Sequence, residues 1–271
     1  MSAAPALPRG LHHHLDAMGS LAAALEGHLT PREVRFLALL GALPTCSGDI
    51  LEIGSFKGKS TILLAKSAAF AANGRVAAVD PLTMPSSTDP TDAVVAELPG
   101  IFRANLEQQG VAGLVDFHQM RSEALGPSWN RALRLLWIDG DHTYRGALAD
   151  YDNFATHLKP GAIVAFHDVL NRFDGPIAAM CERVLSDDRF GAAGIVGSIG
   201  WGQFLGDEAR GRVHAPRRHQ LRRRLQAVRP HVQEGERLGP LGMLLFKLNR
   251  SRVPHDAIAP ETWARQVEMF A

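Results

Sequence analysis

The sequence has little cysteine: two in 271 residues, Cys46 and Cys181, far apart and in no CxxC pair. That spacing points to two reduced, buried thiols of a cytoplasmic protein rather than to a disulfide. Long apolar runs are missing too. None approaches the roughly 18 residues that a spanning helix needs. The opening stretch MSAAPALPRGLHHHLDAMG lacks an apolar core behind a basic start, so it does not read as a signal peptide. The cytoplasm is the expected compartment. No internal repeat is present. Within HHH (12–14) no carboxylate stands at useful spacing, so a floppy polar segment is expected there rather than a metal site.

Neither charge sign is in excess overall, with a net +1. The distribution is uneven. Residues 210–252 hold eleven Arg and one Lys against Glu234 and Glu236, a local +10 that leaves −9 for the rest. An acidic body with a basic C-terminal segment can indicate an anionic partner. The segment has no interleaved aromatics for base stacking and no zinc-knuckle or RNA-binding signature, which counts against nucleic acid. LGPLGMLLFKLNRSR (238–252) pairs an apolar cluster with Lys247, Arg250 and Arg252, which suits an anionic membrane or lipid surface. The alternative is a helical appendage packed on the acidic body or on a second subunit of a homo-oligomer.

What is present is alternation. Thr30, Pro31 and Glu33 make a capping box at the start of a helix running to about Gly41. Strands are expected at 49–53, 75–80, 114–119, 133–139 and 162–168. Helices are expected at 59–72, from 100 to Gly110, at 144–158 and at 176–186, and two short strands within 191–206. Such alternation means an α/β, doubly wound and mostly parallel sheet, seven-stranded, finished by an antiparallel strand. It divides the chain into an N-terminal segment (1–29), a main domain (30–206) and a basic, mainly helical extension (207–271). Residues 81–99, rich in Pro, Ser, Thr and Asp, read as a functional loop or lid.

In doubly wound sheets ligands bind beyond the carboxyl ends of the strands. Five groups stand there: Glu52–Ser60, Asp80, Gln119–Ser122, Asp139–His142 and His167–Asp168. The first contains Gly54-Ser-Phe-Lys-Gly58-Lys-Ser. A phosphate-binding GxxxxGK[ST] loop needs four residues between its glycines, and this loop has three. The dinucleotide pattern GxGxxG fails as well, because position 56 is Phe. What remains is a strand ending in Glu52, then Gly54 and Gly58, then a helix. Gly54 permits close backbone approach. Ser55 and Ser60 offer hydroxyls, and the helix start offers amides to a carboxylate. Asp80, 26 residues after Gly54, is placed to accept the hydroxyls of a ribose. Asp139, Asp141, His142, His167 and Asp168 can converge at one mouth, since neighbouring strands lie about 4.8 Å apart. Carboxylates with imidazole suit a divalent cation, Mg²⁺ or Mn²⁺. Asp141 reads as a turn acid.

DILEIGSFKGKST, VAAVDPL and LLWIDGDHTYRGALADYDNFATHLKPGAIVAFHDV resemble the motifs of class I S-adenosylmethionine-dependent methyltransferases over about residues 30–206. IDGDHTY…D…LKPG…FHD is similar to a subgroup with sugar O-methyltransferases of natural-product biosynthesis and the so-called cephalosporin hydroxylase family. The resemblance implies a Rossmann-like methyltransferase fold and S-adenosylmethionine held by Glu52, Gly54, Ser55, Gly58, Ser60, Asp80 and Asp139. It implies an adenine contact near Arg121–Ser122. It also implies a metal aspartate at Asp139 with a base at His142, and further ligands at His167 and Asp168. His167 departs from the family's acidic residue there. The acceptor implied is a hydroxyl of a small molecule, a sugar or glycosylated metabolite. The other readings are an RNA or protein methyltransferase using the basic segment, and a non-catalytic cofactor-binding scaffold.

Overall fold

The computed structural model describes residues 6–83, 97–232 and 238–270. Thr30 caps helix α2 (Pro31–Ala42) by accepting from the Glu33 amide, and Glu33 returns the bond to the Thr30 amide at 2.8 Å. Such a cap contributes about 1 kcal/mol. Helix α1 (Leu11–Ala23) precedes it and buries Leu11, Leu15, Met18 and Ala22. The HHH stretch is therefore helical rather than floppy. His14 lies 3.0 Å from Ser67 Oγ and stacks on Phe70, while His12 faces Glu261. The apolar spacing of Leu11, Leu15 and Met18 outweighs the polar composition between them.

Seven strands form one sheet: β1 (Asp49–Ile53), β2 (Val76–Val79), β3 (Val115–His118), β4 (Leu133–Ile138), β5 (Leu158–Phe166), β6 (Phe190–Val196) and β7 (Ile199–Phe204). Their order is β3-β2-β1-β4-β5-β7-β6. β1 to β5 are parallel, and β7 runs antiparallel to both β5 and β6. The antiparallel strand is thus wedged between β5 and β6 rather than standing at the edge. The central strands are buried on both faces, which is why AIVAF reads as a continuous apolar run and LRLLWI as one broken only by Arg134. Two apolar clusters cover the faces. Phe36, Trp137, Trp201 and Trp263 belong to one, Leu136, Tyr151, Phe154 and Phe166 to the other.

Helices α3 (Lys59–Ala71), α4 (Leu98–Gln108), α5 (Ser122–Leu125), α6 (Tyr144–Asp152) and α7 (Asp174–Ala179) link the strands. α6 ends at Asp152, earlier than expected, and a 3-10 turn over Ala155–His157 leads into β5. β5 begins at Leu158, so the KPG stretch lies within the strand. A wider π turn over Met180–Val184 continues α7. Residues 84–96 of the expected lid lie outside the described residues. The C-terminal part is α8 (Glu208–Arg212), α9 (Ala215–Val228), α10 (Pro240–Ser251) and α11 (Pro260–Gln266). Among the described residues, no helix is long and apolar enough to cross a membrane.

Candidate active site

The strand order reverses between β1 and β4, and the site is built there. β1 ends at Ile53, and the chain turns at Gly54 with φ 85. A Cβ at Gly54 would stand 2.1 Å from the Asp139 carbonyl oxygen, so only glycine fits. The close approach inferred from sequence is thus made by the neighbouring strand end. Phe56 takes a left-handed φ of 46, and Gly58, at φ 88, starts α3. No side chain caps α3 and no acid occupies its first turn, so its leading amides face an anion's position.

Asp80 shapes this loop. Its Oδ2 accepts from the Ser55 amide at 2.7 Å and the Phe56 amide at 2.9 Å, and its Oδ1 accepts from the Leu82 amide at 2.8 Å. Three of about four acceptor directions of the carboxylate are filled by backbone. Glu52 lies underneath, fully buried, ringed by the hydroxyls of Ser55, Ser60 and Thr61. Its Oε1 has no hydrogen-bond partner among the described residues. Burial pushes its carboxyl up to about 8, despite the hydroxyls and helped by Asp139 and Asp80.

On the other side of the mouth, Ser122 donates to Asp150 Oδ1 on α6. Asp150 Oδ2 is buried without a hydrogen-bond partner among the described residues, close over Gly140. Burial raises the Asp150 carboxyl to about 7.

The acid–histidine cluster caps β4 and β5. The Asp139 amide donates to Ile53 and the His167 amide to Ile138, which locks the two strand ends together. His167 Nδ1 lies 3.0 Å from Asp139 Oδ1 and 3.4 Å from Asp168 Oδ1. His167 Nε2 points the other way, 3.8 Å from Glu33 Oε2. Burial opposes a charged His167, but Asp139, Glu33 and Asp168 outweigh it and hold its pKa well above the usual value. Burial likewise opposes a charged Glu33. Facing His167 and hydrogen bonds from Ser198 and Thr30 hold its carboxyl well below the usual range. Ser198 contributes both amide and hydroxyl, each at 2.6 Å. The His167 ring is therefore held between carboxylates that favour its protonated form.

His142 stands on the turn before α6, where Thr143 is the N-cap. Asp141 accepts from the Thr143 amide at 2.9 Å and is the turn acid expected. The His142 ring is buried and stacks on Phe173 with centroids 4.5 Å apart. Its Nε2 lies 3.3 Å from Asp168 Oδ2 and 3.7 Å from Asp139 Oδ1. Asp168 has φ 60, a left-handed backbone that Asp tolerates better than most side chains. Its carboxyl is raised by burial and by Asp139, against the pull of His167.

Asp139, His142 and Asp168 each offer a ligand atom, all within 4.8 Å of one another. Two carboxylates and an imidazole fit a divalent cation of the Mn²⁺, Fe²⁺ or Zn²⁺ kind better than Mg²⁺. His167 is not in this group. His167, expected from the sequence as a further ligand, turns its Nδ1 to Asp139 and Asp168 and its Nε2 toward Glu33.

The matching family model is described as a methyltransferase domain and covers residues 51–169, from β1 to just past β5. The chain carries a methyltransferase domain. Solved structures agree on the fold. The O-methyltransferase NovP is 14% identical, with a TM-score of 0.56 over 72% of this chain and 98% of that one. The cofactor-bound Rv0187 from MTB is 19% identical, with a TM-score of 0.50 over 73% of this chain and 90% of that one. This methyltransferase has the class I, S-adenosylmethionine-dependent architecture that its motifs resemble. In it Glu52, Gly54, Ser55, Gly58, Ser60 and Asp80 sit on one side of the strand ends. Asp139, His142, His167 and Asp168 converge beside them, with Ser122 beyond. Glu33, Thr61, Asp150 and Phe173 escaped the sequence reading as site residues. Glu33 had a signal, its capping-box position, but that signal concerns only the helix start.

Proposed function

We propose that this methyltransferase moves the methyl group of S-adenosylmethionine to a hydroxyl of a small molecule, a sugar or glycosylated metabolite. The observation that carries the reading is the His142 ring, fixed between Phe173 and the Asp168 carboxylate beside the glycine loop. The structural relative NovP, named an O-methyltransferase, supports it, as does the sugar O-methyltransferase resemblance of the IDGDHTY…FHD motif.

The residues present fit the cofactor. The amides opening α3 and the Ser60 hydroxyl suit its carboxylate, and the orphaned Oε1 of Glu52 suits a donor group next to it. Asp80 has one acceptor direction left for a ribose hydroxyl. S-Adenosylmethionine supplies, when bound, a methyl activated on a sulfonium. The protein's own part is to align the acceptor oxygen and remove its proton. His142 Nε2 accepts that proton, and the nearby Asp168 and Asp139 carboxylates stabilise the imidazolium formed. His167 already balances Asp139, so the mouth does not accumulate uncompensated negative charge.

A divalent cation is the second reading, favoured by the convergence of Asp139, His142 and Asp168. Held there, it would supply Lewis-acid polarisation of the acceptor hydroxyl. The two roles of His142 exclude each other, because one nitrogen cannot bind a cation and accept a proton. Metal content by mass spectrometry, with turnover before and after chelation, separates them. Turnover by metal-free protein supports the base. Turnover lost on chelation and restored by Mn²⁺ replaces it with the metal.

A further inference from the structure

Two groups of arginines stand apart in the basic C-terminal segment. Arg210, Arg212, Arg218 and Arg229 are ion-paired with Glu268, Glu208, Asp188, Asp174 and Glu182. The pairs of Arg212 and Arg218 with Asp188, and of Arg229 with Asp174 and Glu182, hold the extension on the body. Arg223, Arg224 and Arg252 meet no carboxylate among the described residues. They line a cleft of about 320 Å³ between α9 and the end of α10, together with Gln220, Ala227 and Asn249.

Beside the cleft, α10 turns Phe246 inward and leaves Leu241, Leu244 and Leu248 exposed, at 69%, 62% and 46%. At helical spacing these three lie on one stripe, and Arg252 falls just beyond its end. An apolar stripe flanked by cations that meet no carboxylate among the described residues is complementary to one surface chemistry, acyl chains beneath anionic headgroups. Nucleic acid would use the arginines but leave the leucines in water, and no exposed aromatic is interleaved with them. α10 is also tied to the site: Arg250 Nε donates to the Leu170 carbonyl at 2.9 Å, two residues past Asp168.

We propose that the outer face of α9 and α10 docks on an anionic phospholipid surface, with Leu241, Leu244 and Leu248 at the acyl boundary and Arg223, Arg224 and Arg252 on the headgroup phosphates. The interaction is independent of the methyl-transfer reading and is tested without substrate. The full chain is floated with vesicles of phosphatidylcholine alone and of phosphatidylcholine with phosphatidylglycerol. Co-flotation is expected only with the anionic vesicles, and added salt releases it. Arg223→Gln with Arg224→Gln weakens partitioning about thirtyfold, from about 1 kcal/mol per cation. Leu241→Ser with Leu244→Ser weakens it as well. Both pairs replace exposed or half-buried side chains, and matching circular dichroism confirms the fold. The proposal is overturned if the wild type stays with the unfloated fraction or if both variants float as it does. It is equally overturned if the arginine pair governs binding to a single-stranded RNA oligonucleotide without flotation, or if the leucine pair merely converts a dimer to a monomer without flotation.

Discussion

His167 Nδ1 lies 3.0 Å from Asp139 Oδ1, at the junction of the two strand ends that frame the site. This pair sets the electrostatics of the mouth. The charge on Asp139 is met by protein, and the opposite ring nitrogen of His167 is met by Glu33 from a helix outside the parallel core. His142 and Asp168 are left as the groups that face an incoming acceptor.

Replacing His142 tests the base directly. His142→Gln should lower kcat by about 10²- to 10⁴-fold. Affinity for S-adenosylhomocysteine, read by titration calorimetry, should stay the same. Unchanged turnover would remove His142 from the chemistry.

Asp80→Ala should do more than delete a ribose contact. It leaves the Ser55 and Phe56 amides without their acceptor, at about 1–3 kcal/mol for an unsatisfied buried group. The thermal midpoint should fall, and cofactor affinity should weaken by about tenfold or more. A variant with unchanged affinity and midpoint would show that the loop holds its shape without Asp80.

Glu33→Gln breaks a buried carboxylate with four donors and the His167 ring around it. A loss of about 3–5 kcal/mol is expected. The folded pKa of Glu33 is depressed below 4.5, so its contribution is complete above that value and is lost as pH falls through and below it. The gap between wild type and variant in urea unfolding should therefore narrow on acidification. A gap independent of pH would contradict the clamped pair.

Glu52 titrates with the opposite sign. Its folded pKa is raised from 4.5 to about 8, so its stabilising contribution is complete below 4.5 and is lost as pH rises to 8. Across that window the loss is about 1.4 kcal/mol per pH unit for one proton. Glu52→Gln, which cannot ionise, should gain on the wild type as pH rises toward 8. Parallel stability curves for the two proteins would refute a buried, protonated Glu52.

Much of the fold was legible because its signals are local. Apolar runs in DILEI and LRLLWI, the capping box at Thr30–Glu33 and the glycines after β1 each act within a few residues. The HHH helix was missed because polar composition was weighed above the apolar spacing around it. The site's convergence at strand ends followed from topology, but its pairings did not. Glu33 meets Ser198 across 165 residues and Ser122 meets Asp150 across 28, contacts that only the folded chain defines. The curl that turns the Ser55 and Phe56 amides onto Asp80 needs a left-handed phenylalanine, a conformation rare enough that sequence gives no warning. His167, where the resembling family has an acid, lies buried with Asp139, Asp168 and Glu33 around it, a setting that only the folded chain defines.

The central claim is methyl transfer to a hydroxyl by this site. The direct measurement is incubation with methyl-deuterated S-adenosylmethionine and a panel of glycosides, followed by mass spectrometry of acceptor and cofactor product. A trideuteromethyl group is expected on an acceptor oxygen, formed one-to-one with S-adenosylhomocysteine and lost in His142→Gln. Cofactor binding without transfer to any hydroxyl, or label found on nitrogen or RNA instead, would contradict it.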